Sequence, residues 1–443
     1  MQLLFEAVSE TQPDAKWQRL FQHFWPAYKA WYINRGGPAR TNLREAKKAL
    51  RRHMPELMPT YEKLLDLSGG DDLAACFLSC YRPPAYLVSC SQAALVTPTE
   101  KVLVRNYDLD PKLNEGLILH SHWNERQVIA TSEFLWGVAD GMNNSGLALS
   151  LAFGGSKKVG DGFGIPLILR YVLEVCDTVE EAIEVLNRIP SHMAYNITLL
   201  DKRGDAVTVQ VAPDQTSKVI NVPVATNHQG EVEWAEHARF TATVEREQNL
   251  LNHLANSSTS AQSLIDGFGK SPLYNTDYGN GFGTLYTAVY RPDKNRVEWR
   301  WPGTVWQQSF ADFKEATRPV TYGSAGAQAQ MAYAALDSTI AREPKQPSIR
   351  LHKLHKKNVA PNERHGRRPS AINYTRPTYY LQEPLANVRA SLQAGGCHFS
   401  PALNDWFDQA QDSADTAIDW VKLANVWSPP YYDQCFANGK VTV

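Results

Sequence analysis

The sequence predicts an α+β protein in which two antiparallel sheets pack together and helices cover them. Two observations carry this prediction. The short β-rich runs come in neighbouring pairs joined by tight turns, and groups of strands alternate with groups of helices rather than with single helices. The chain of 443 residues also exceeds the size at which one hydrophobic core usually stops growing. We therefore expect a further unit beside the main domain.

The N-terminal part of the chain is predicted to be helical. Residues 15–80 carry repeated aromatic and aliphatic positions. Gly69-Gly70 can end one helix, and Asp71-Asp72 can cap the next. Pro83-Pro84 then end the helical block. The chain thus reaches Cys90 at the start of its first β-rich run.

From residue 90 onward, strands and helices are predicted in blocks. Helices are expected at 165–176, from Thr178 onward, at 235–254 and at 259–267, and Thr178 with Glu181 forms a capping box. The predicted strands are 90–96, 102–107, 116–122, 127–131, 134–139, 146–153, 194–200, 206–212 and 218–226, with a last hairpin of 284–290 and 296–301. Hairpins dominate this order, which argues against a doubly wound parallel sheet.

Composition excludes several classes of protein. The net charge of −1 gives no general attraction to nucleic acid or to a membrane. No apolar run reaches the ~20 residues of a membrane-spanning helix, and the N-terminus lacks the pattern of a secretory signal. We therefore expect a cytoplasmic protein without membrane or nucleic-acid partners. The six cysteines, at 76, 80, 90, 176, 397 and 435, fit neither a disulfide framework nor paired zinc sites, so we expect no metal and no cofactor.

The last part of the chain differs from the rest in amino-acid composition. Nine Lys and Arg residues lie between Arg342 and Arg368, with only Glu343 and Glu363 against them. Because prolines interrupt this stretch, we interpret 321–370 as an exposed basic linker, and an anionic partner for it stays open. Residues 371–443 are predicted to form a C-terminal extension rich in aromatic residues.

Cys90 and the tetrapeptide Arg105-Asn106-Tyr107-Asp108 are predicted to meet across a hairpin. Their two β-rich runs are separated by the polar turn Thr97-Pro98-Thr99-Glu100. A guanidinium near the sulfur favours the thiolate, which is the nucleophilic form of cysteine. The hairpin alone leaves a simpler interpretation open, in which Cys90 is a packing residue and Arg105 and Asp108 form a surface ion pair.

Two further segments extend this pattern, and together the four resemble the N-terminal-nucleophile (Ntn) cysteine hydrolases. The added segments are Ala139-Asp140-Gly141-Met142-Asn143-Asn144-Ser145-Gly146-Leu147-Ala148 and Ala225-Thr226-Asn227-His228. The branch they resemble most is the acyl-coenzyme A:6-aminopenicillanic acid acyltransferase family, and the choloylglycine (bile-salt) and penicillin V hydrolases are more distant relatives. The resemblance runs from about residue 50 to about residue 303.

The resemblance implies a four-layer αββα sandwich that is made as an inactive precursor. The chain would cut itself between Ser89 and Cys90, and the new α-amino group would be the general base for the Cys90 thiol. Residues 1–89 would become a helical propeptide or small subunit, and 90–320 would be the Ntn-hydrolase domain. The cleaved N-terminal fragment is then an expected partner, and a homo-oligomer stays open.

The resemblance also implies roles for single residues. Cys90 would be the nucleophile, Arg105 would stabilise its thiolate, Asp108 would hold the α-amino group, and Asn227 would donate to the oxyanion. Three supporting residues are expected around them: Asn143, which would shape a turn, Tyr107 and His228. Aromatic residues near the presumed site (Tyr107, Trp136, Phe153 and Phe163) suggest an acyl or aromatic group in the pocket, or simply form the core.

The chain departs from the pattern of these families at three places. Ser89 replaces the glycine that usually precedes the nucleophile. Phe153 stands where the bile-salt hydrolases have a second active-site asparagine. Their late arginine near the nucleophile has no clear counterpart in the stretch 279–283.

The function that follows is an autoprocessed cysteine amidohydrolase or acyltransferase. It would act on a linear amide or an acyl thioester, a small-molecule substrate, through an acyl-enzyme on Cys90. Two alternatives stay open. One is a Cys-His hydrolase, for which His120, His122, His192 and His228 are candidate bases. The other is an unprocessed, non-catalytic scaffold or binding protein of the same fold.

Overall fold

The computed structural model describes residues 1–36, 41–86, 88–278 and 282–322. The basic linker and the C-terminal extension, predicted for 321–370 and 371–443, lie outside the described residues except for 321 and 322. No helix in the described part of the chain is both long and apolar enough to cross a membrane.

The helices follow the predicted blocks closely. They are α1 (Ala15–Gly36), α2 (Leu43–His53), α3 (Met58–Leu67), α4 (Asp72–Leu78), α5 (Ile165–Val175), α6 (Val179–Arg188), α7 (Ala235–Phe240), α8 (Thr243–Ala255) and α9 (Ala261–Phe268). Asp71 caps α4, since its side chain accepts a hydrogen bond from the N–H of Leu73. Thr178 caps α6 in the same way through the N–H of Glu181.

The strands number fifteen in the described ranges. They are β1 (Gln2–Glu10), β2 (Ser89–Val96), β3 (Lys101–Leu109), β4 (Leu117–Ser121), β5 (Val128–Glu133), β6 (Gly137–Asn143), β7 (Leu147–Phe153), β8 (Tyr195–Asp201), β9 (Ala206–Val211), β10 (Lys218–Ile220), β11 (Val224–Ala225), β12 (Gly283–Arg291), β13 (Arg296–Trp301), β14 (Thr304–Ser309) and β15 (Ala316–Thr321).

These strands form two sheets. The larger sheet has nine strands in the order β10-β9-β8-β7-β6-β5-β4-β1-β15, and the smaller sheet has six in the order β11-β2-β3-β12-β13-β14. Neighbouring strands are antiparallel throughout, except that β1 and β4 run parallel. Antiparallel pairs agree with the many hairpins that the sequence predicts.

The two sheets pack face to face and helices cover both outer faces. β2 and β3 of the smaller sheet lie against β7 and β8 of the larger one. On the outside, α5 packs on β6 and α6 on β9, whereas α8 and α9 pack on β2 and β3. The predicted four-layer αββα sandwich is therefore confirmed. β7, for example, is buried along its whole length, which explains why its sequence is mostly apolar without alternation.

The N-terminal segment contains a strand that the sequence did not predict. β1 lies inside the larger sheet, between β4 and β15. Because its partners lie more than a hundred residues away, no hairpin turn marks it in the sequence. β14 and β15 were also missed, and Pro319 and the exposed residues of β15 are typical of an edge strand. The part of the chain before Cys90 is thus built into the sheet.

The predicted strand 134–139 is wrong at its start. β5 continues to Glu133, residues 134–136 form the turn, and β6 begins at Gly137. Phe134 and Leu135 have φ angles of 59° and 70°, in the left-handed region that bulky residues rarely adopt. Each such residue costs roughly 1–3 kcal/mol and persists only where its surroundings hold it. The apolar residues of this turn are typical of a strand. The local sequence does not reveal the turn, because the contacts that hold it come from distant parts of the chain.

Gly141, which lies within β6, is expected to be intolerant of any side chain. A Cβ there would lie 2.7 Å from the Cβ of Ala130 and 3.0 Å from Cδ1 of Leu173 on α5. Gly141→Ala should therefore lower the free energy of unfolding by ~1–3 kcal/mol, measured by urea denaturation. The control is Gly269→Ala, where the nearest atom to the new Cβ is 3.5 Å away. Equal stability of the two variants would contradict this close packing of α5 on β6.

Candidate active site

Cys90 is the second residue of β2, and β3 returns directly beside it. In the observed register Ser89 pairs with Asp108, Cys90 with Tyr107 and Gln92 with Arg105. The predicted hairpin is confirmed. Because side chains alternate along a strand, Cys90, Arg105 and Tyr107 face the larger sheet, whereas Ser89 and Asp108 face the helices.

Arg105 is the hydrogen-bond partner of the thiol. Its Nη2 donates to Cys90 Sγ at 3.0 Å, and its Nε donates to the carbonyl of Leu151 at 3.0 Å. The side chain is fully buried and forms an ion pair with buried Asp140 on β6. The guanidinium also lies over the ring of Tyr107, 4.4 Å from its centroid. The guanidinium therefore spans the space between the two sheets at the sulfur.

The interpretation of Arg105 and Asp108 as a surface ion pair is wrong. Both side chains are buried, and the two lie on opposite faces of β3. The carboxylate that neutralises Arg105 belongs to Asp140, which also accepts hydrogen bonds from Thr131, Tyr286 and Tyr290. The sequence analysis did not single out Asp140, although this residue lies inside one of the four recognised segments.

The thiol of Cys90 is protonated in the full-length chain. Burial raises its pKa to about 12, although the nearby charge and hydrogen bond of Arg105 oppose this rise. The residue has no exposed surface. A thiolate at neutral pH thus requires a further change at the site, such as a proton acceptor beside the sulfur.

The backbone of Cys90 is held from the helix side. Its N–H donates to Oδ1 of Asn227 at 3.2 Å, and its carbonyl accepts from Nη1 of Arg246 at 2.7 Å. Arg246 Nη2 donates to the same Asn227 oxygen at 2.6 Å. The Nδ2 of Asn227 donates to the carbonyls of Phe153, at 3.3 Å, and Val88, at 3.5 Å. Asn227 therefore lies beside the peptide bonds that precede Cys90.

Arg246 was missed by the sequence analysis. It lies on α8 and is buried, although most of its neighbours on that helix are polar and surface-directed. A single arginine in a polar helix gives no indication that its side chain is buried. The late arginine of the bile-salt hydrolases has no clear counterpart in 279–283, and the structure describes only residues 282 and 283 of that stretch. Its contacts with Asn227 and Cys90 make it part of the site.

Asp108 offers a carboxylate oxygen at the level of the Ser89 peptide. Its Oδ1 accepts a hydrogen bond from Thr284 Oγ1 at 2.6 Å. Its Oδ2 is buried and has no hydrogen-bond partner among the described residues, and Arg246 Nη1 is 3.7 Å away. Burial raises the pKa of Asp108 to about 6. This oxygen is well suited to accept a hydrogen bond from an ammonium group.

The supporting residues lie in different surroundings. The Nδ2 of Asn143 donates to the carbonyls of Leu173 and Cys176, so this side chain ties the β6–β7 turn to the end of α5. His228 contacts Thr243 through Nδ1 and Glu247 through Nε2.

The remaining predicted residues are placed by their hydrogen bonds. His120 bonds to Ser9 and Gln127, and His192 bonds to the carbonyl of Gly160. The backbone N–H of His122 donates to the carbonyl of Glu10. Within the described ranges, no hydrogen bond joins the Cys90 sulfur to any of the four candidate histidines, so the geometry does not favour a Cys-His pair. No cluster of three or more potential ligands for a metal ion occurs in these ranges either.

The aromatic residues expected in the pocket do not all meet there. Tyr107 faces Cys90, and the carbonyl of Phe153 contacts Asn227. The Nε1 of Trp136 donates to the carbonyl of Leu78 on α4, and Phe163 packs on Tyr81. Of these four residues, Tyr107 and Phe153 thus contact Cys90 or a residue that binds its backbone.

The central part of the chain is similar in sequence to a known protein family. Residues 96–306 match the family model described as acyl-coenzyme A:6-aminopenicillanic acid acyl-transferase, which confirms the resemblance seen in the sequence. The match includes Arg105, Asp108, Asn227 and Arg246 and begins six residues after Cys90. No protein of curated function matches the chain in sequence.

Several solved structures are similar to the chain at low identity. Penicillin V acylase from Agrobacterium tumefaciens is 15% identical over 52% of this chain and 91% of its own, with a TM-score of 0.35. A variant of the conjugated bile acid hydrolase from Clostridium perfringens is 13% identical over 53% and 97%, with a TM-score of 0.37. The Caenorhabditis elegans ortholog of N-acylethanolamine-hydrolyzing acid amidase is 18% identical over 46% and 93%, with a TM-score of 0.34.

Removal of the Asp140 charge should destabilise the protein, because it leaves the buried guanidinium of Arg105 without a counter-charge. Asp140→Asn is expected to lower the free energy of unfolding by ~3–5 kcal/mol, measured by urea denaturation at pH 7. The control is Asp312→Asn, which removes one partner of an exposed ion pair with Lys314 and should cost ~1 kcal/mol or less. A loss at Asp140 as small as that at Asp312 would contradict the role of this pair.

Proposed function

From the match of residues 96–306 to the acyl-coenzyme A:6-aminopenicillanic acid acyltransferase family, we propose that the chain is an Ntn-type amidohydrolase or acyltransferase whose nucleophile is Cys90. One observation carries the assignment of the nucleophile. Cys90 Sγ accepts a hydrogen bond from the buried guanidinium of Arg105, while its own backbone N–H is held by Asn227. A packing cysteine would not need a buried cation at its sulfur.

The first reaction in this proposal is cleavage of the chain before Cys90. The sulfur attacks the carbonyl carbon of Ser89 and a C–S bond forms. The C–N bond to Cys90 breaks, and its nitrogen takes up the thiol proton and leaves as an amine. Water then hydrolyses the thioester, which frees a carboxylate on Ser89 and restores the thiol. Arg105 favours the attacking thiolate, since its charge lowers the pKa of the thiol.

The residues that hold the Cys90 backbone would receive the new α-amino group. Asn227 Oδ1 already accepts from this nitrogen. The Oδ2 of Asp108, which has no hydrogen-bond partner in the described ranges, lies across the hairpin from Ser89 and would pair with the group when it is protonated. The amine in turn would take the proton of the thiol, as a general base within the same residue.

The second reaction is turnover of substrate. The Cys90 thiolate attacks the carbonyl carbon of an amide or thioester, and the leaving amine or thiol takes up a proton from the α-amino group. Asn227 Nδ2 would stabilise the oxyanion, since it already donates to backbone carbonyls beside Cys90. Water that attacks the acyl-enzyme completes hydrolysis, whereas an amine completes acyl transfer.

Residues 1–89 would remain bound as a small subunit after cleavage. β1 pairs with β4 and β15, so its loss would open two strand pairs. The N-terminal helices also hold the main domain, since Trp17 Nε1 donates to the carbonyl of Leu135. In a second such contact, Trp136 of the main domain donates through Nε1 to the carbonyl of Leu78 in the N-terminal segment. A segment that supplies both sheet and core cannot leave without exposing apolar surface.

Self-cleavage is tested by the intact mass of the purified protein. The wild type is expected to give two fragments, one ending at Ser89 and one beginning at Cys90, which elute together under native conditions. Cys90→Ala should stay full-length and show no turnover. The control Cys176→Ala removes a buried thiol beyond the end of α5 and should be cleaved. A wild-type chain that remains intact would support the non-catalytic alternative, and one that remains intact yet hydrolyses amides would contradict the N-terminal amine as base.

Turnover by the cleaved protein is tested with a panel of acyl amides and acyl thioesters. Asn227→Ala should lower the rate by ~10²–10³-fold, because an oxyanion donor is lost. Asn252→Ala is the matched control, since Asn252 is exposed on α8 and its side chain accepts a hydrogen bond from Gln248. Full activity of Asn227→Ala in a protein that is still cleaved would exclude Asn227 as the donor.

A further inference from the structure

The strained turn after β5 is held in place by the N-terminal segment. The N–H of Phe134 donates to the hydroxyl of Tyr28 at 3.3 Å, and the carbonyl of Leu135 accepts from Trp17 at 3.0 Å. The Phe134 ring packs between aromatic rings of Tyr28, Trp31, Phe77 and Tyr86. Backbone strain maintained by so many contacts is often found at functional sites.

The turn presents Glu133 beside the nucleophile. Glu133 Oε1 accepts a hydrogen bond from the hydroxyl of Tyr107 at 3.3 Å, and Tyr107 is paired with Cys90 across the hairpin. Although Glu133 keeps some exposed surface, its Oε2 is buried and has no hydrogen-bond partner in the described structure. The carboxylate is thus one side chain away from the reacting sulfur, with an oxygen left to accept a donor.

A second carboxylate adjoins the first. Glu115 uses Oε1 to accept from Tyr28 and from the N–H of Leu135, in the same turn. Its Oε2 is also buried without a hydrogen-bond partner among the described residues. Burial raises the pKa of Glu133 to about 7, and it raises the pKa of Glu115 as well. The guanidinium of Arg105, the cation that acts on Glu133, is already engaged by Asp140 and Cys90.

Aromatic rings surround these carboxylates. The ring of Tyr86 lies 4.9 Å from that of Phe134 and 6.1 Å from that of Tyr195, and Tyr107 donates to Glu133 directly. Faces of aromatic rings attract cations, and a buried carboxylate without a counter-charge is costly unless a cation reaches it. Aromatic rings close to carboxylate oxygens that lack hydrogen-bond partners in the described ranges therefore suit an ammonium group, and they disfavour a substrate that carries a negative charge there.

We propose that Glu133, together with Glu115, forms a subsite for a positively charged amine carried by the substrate, close to the bond that Cys90 attacks. As a statement about substrates, this proposal rests on the proposed function of Cys90. It adds a charge requirement to the acyl or aromatic group that the sequence suggested. As a binding site, this subsite can be tested without any turnover.

Calorimetric titration of the purified protein with hexylammonium and with 1-hexanol tests the subsite. Hexylammonium should bind at least about tenfold more tightly than the neutral alcohol, as expected for a buried charge-assisted hydrogen bond. Glu133→Gln should bring the two affinities within about twofold. The control Glu184→Gln changes an exposed residue of α6 and should retain the wild-type preference. Equal affinities in the wild type, or an unchanged preference in Glu133→Gln, would overturn the proposal.

If Glu133→Gln does not fold, the role of Glu133 is tested by the pH dependence of hexylammonium binding to the wild type. Because the raised pKa of Glu133 is about 7, its carboxyl ionises between pH 6 and 8, where hexylammonium stays charged. Hexylammonium should therefore bind more tightly as pH rises, and 1-hexanol should not. A flat profile for hexylammonium would count against the subsite. The other titratable or charged groups around Glu133 are Glu115, Tyr28, Cys80, Tyr86, Cys90, Arg105, Tyr107, Asp140 and Tyr195.

A pair of matched amides separates this proposal from the proposed function. The 6-aminohexanoyl and heptanoyl anilides differ in one ammonium group, and the cleaved wild type should prefer the first. Equal turnover of both, with no binding preference for hexylammonium, overturns the subsite alone. A binding preference without turnover of either amide supports the ammonium site and counts against the proposed function.

Discussion

The buried guanidinium of Arg105 joins the two sheets at Cys90. From β3 of the smaller sheet it reaches Asp140 on β6 and the carbonyl of Leu151 on β7, and its remaining Nη2 donor goes to Cys90 Sγ. A buried guanidinium without a carboxylate is strongly unfavourable, so Arg105 and Asp140 require each other. The position of the sulfur relative to the larger sheet therefore depends on this pair.

Alternation along β2 and β3 separates the two chemical tasks of the site. The thiol points between the sheets, where Arg105 acts on it. The backbone N–H of Cys90 is held by Asn227, and the side chain of Asp108 lies on the helix face near Arg246. The thiolate and an amine can thus be stabilised by different groups. Because burial raises the pKa of the thiol in the full-length chain, a thiolate at neutral pH requires a base near the sulfur.

Local sequence patterns predicted most elements of the fold, since hairpins, caps and apolar runs act over short distances. These local patterns gave no prediction or a wrong one where a contact with a distant residue determines the backbone structure. β1 pairs with β4 and β15, and no hairpin turn in the sequence predicts either of these strand pairs. The turn at Phe134 and Leu135 looks like strand, because its left-handed backbone is held by Trp17 and Tyr28, more than a hundred residues earlier.

The sequence by itself determined the hairpin that brings Cys90 beside Arg105 and Asp108, because a short turn and the twofold period of a strand leave little freedom in that register. It also determined the order of the recognised segments. Only the tertiary structure decided that Arg105 pairs with Asp140 rather than Asp108 and that Arg246 joins Asn227. It also decided that Glu133 accepts from Tyr107 and keeps one oxygen without a hydrogen-bond partner in the described ranges. These pairings depend on how sheets and helices pack, and charge alone does not specify which partner a buried residue meets.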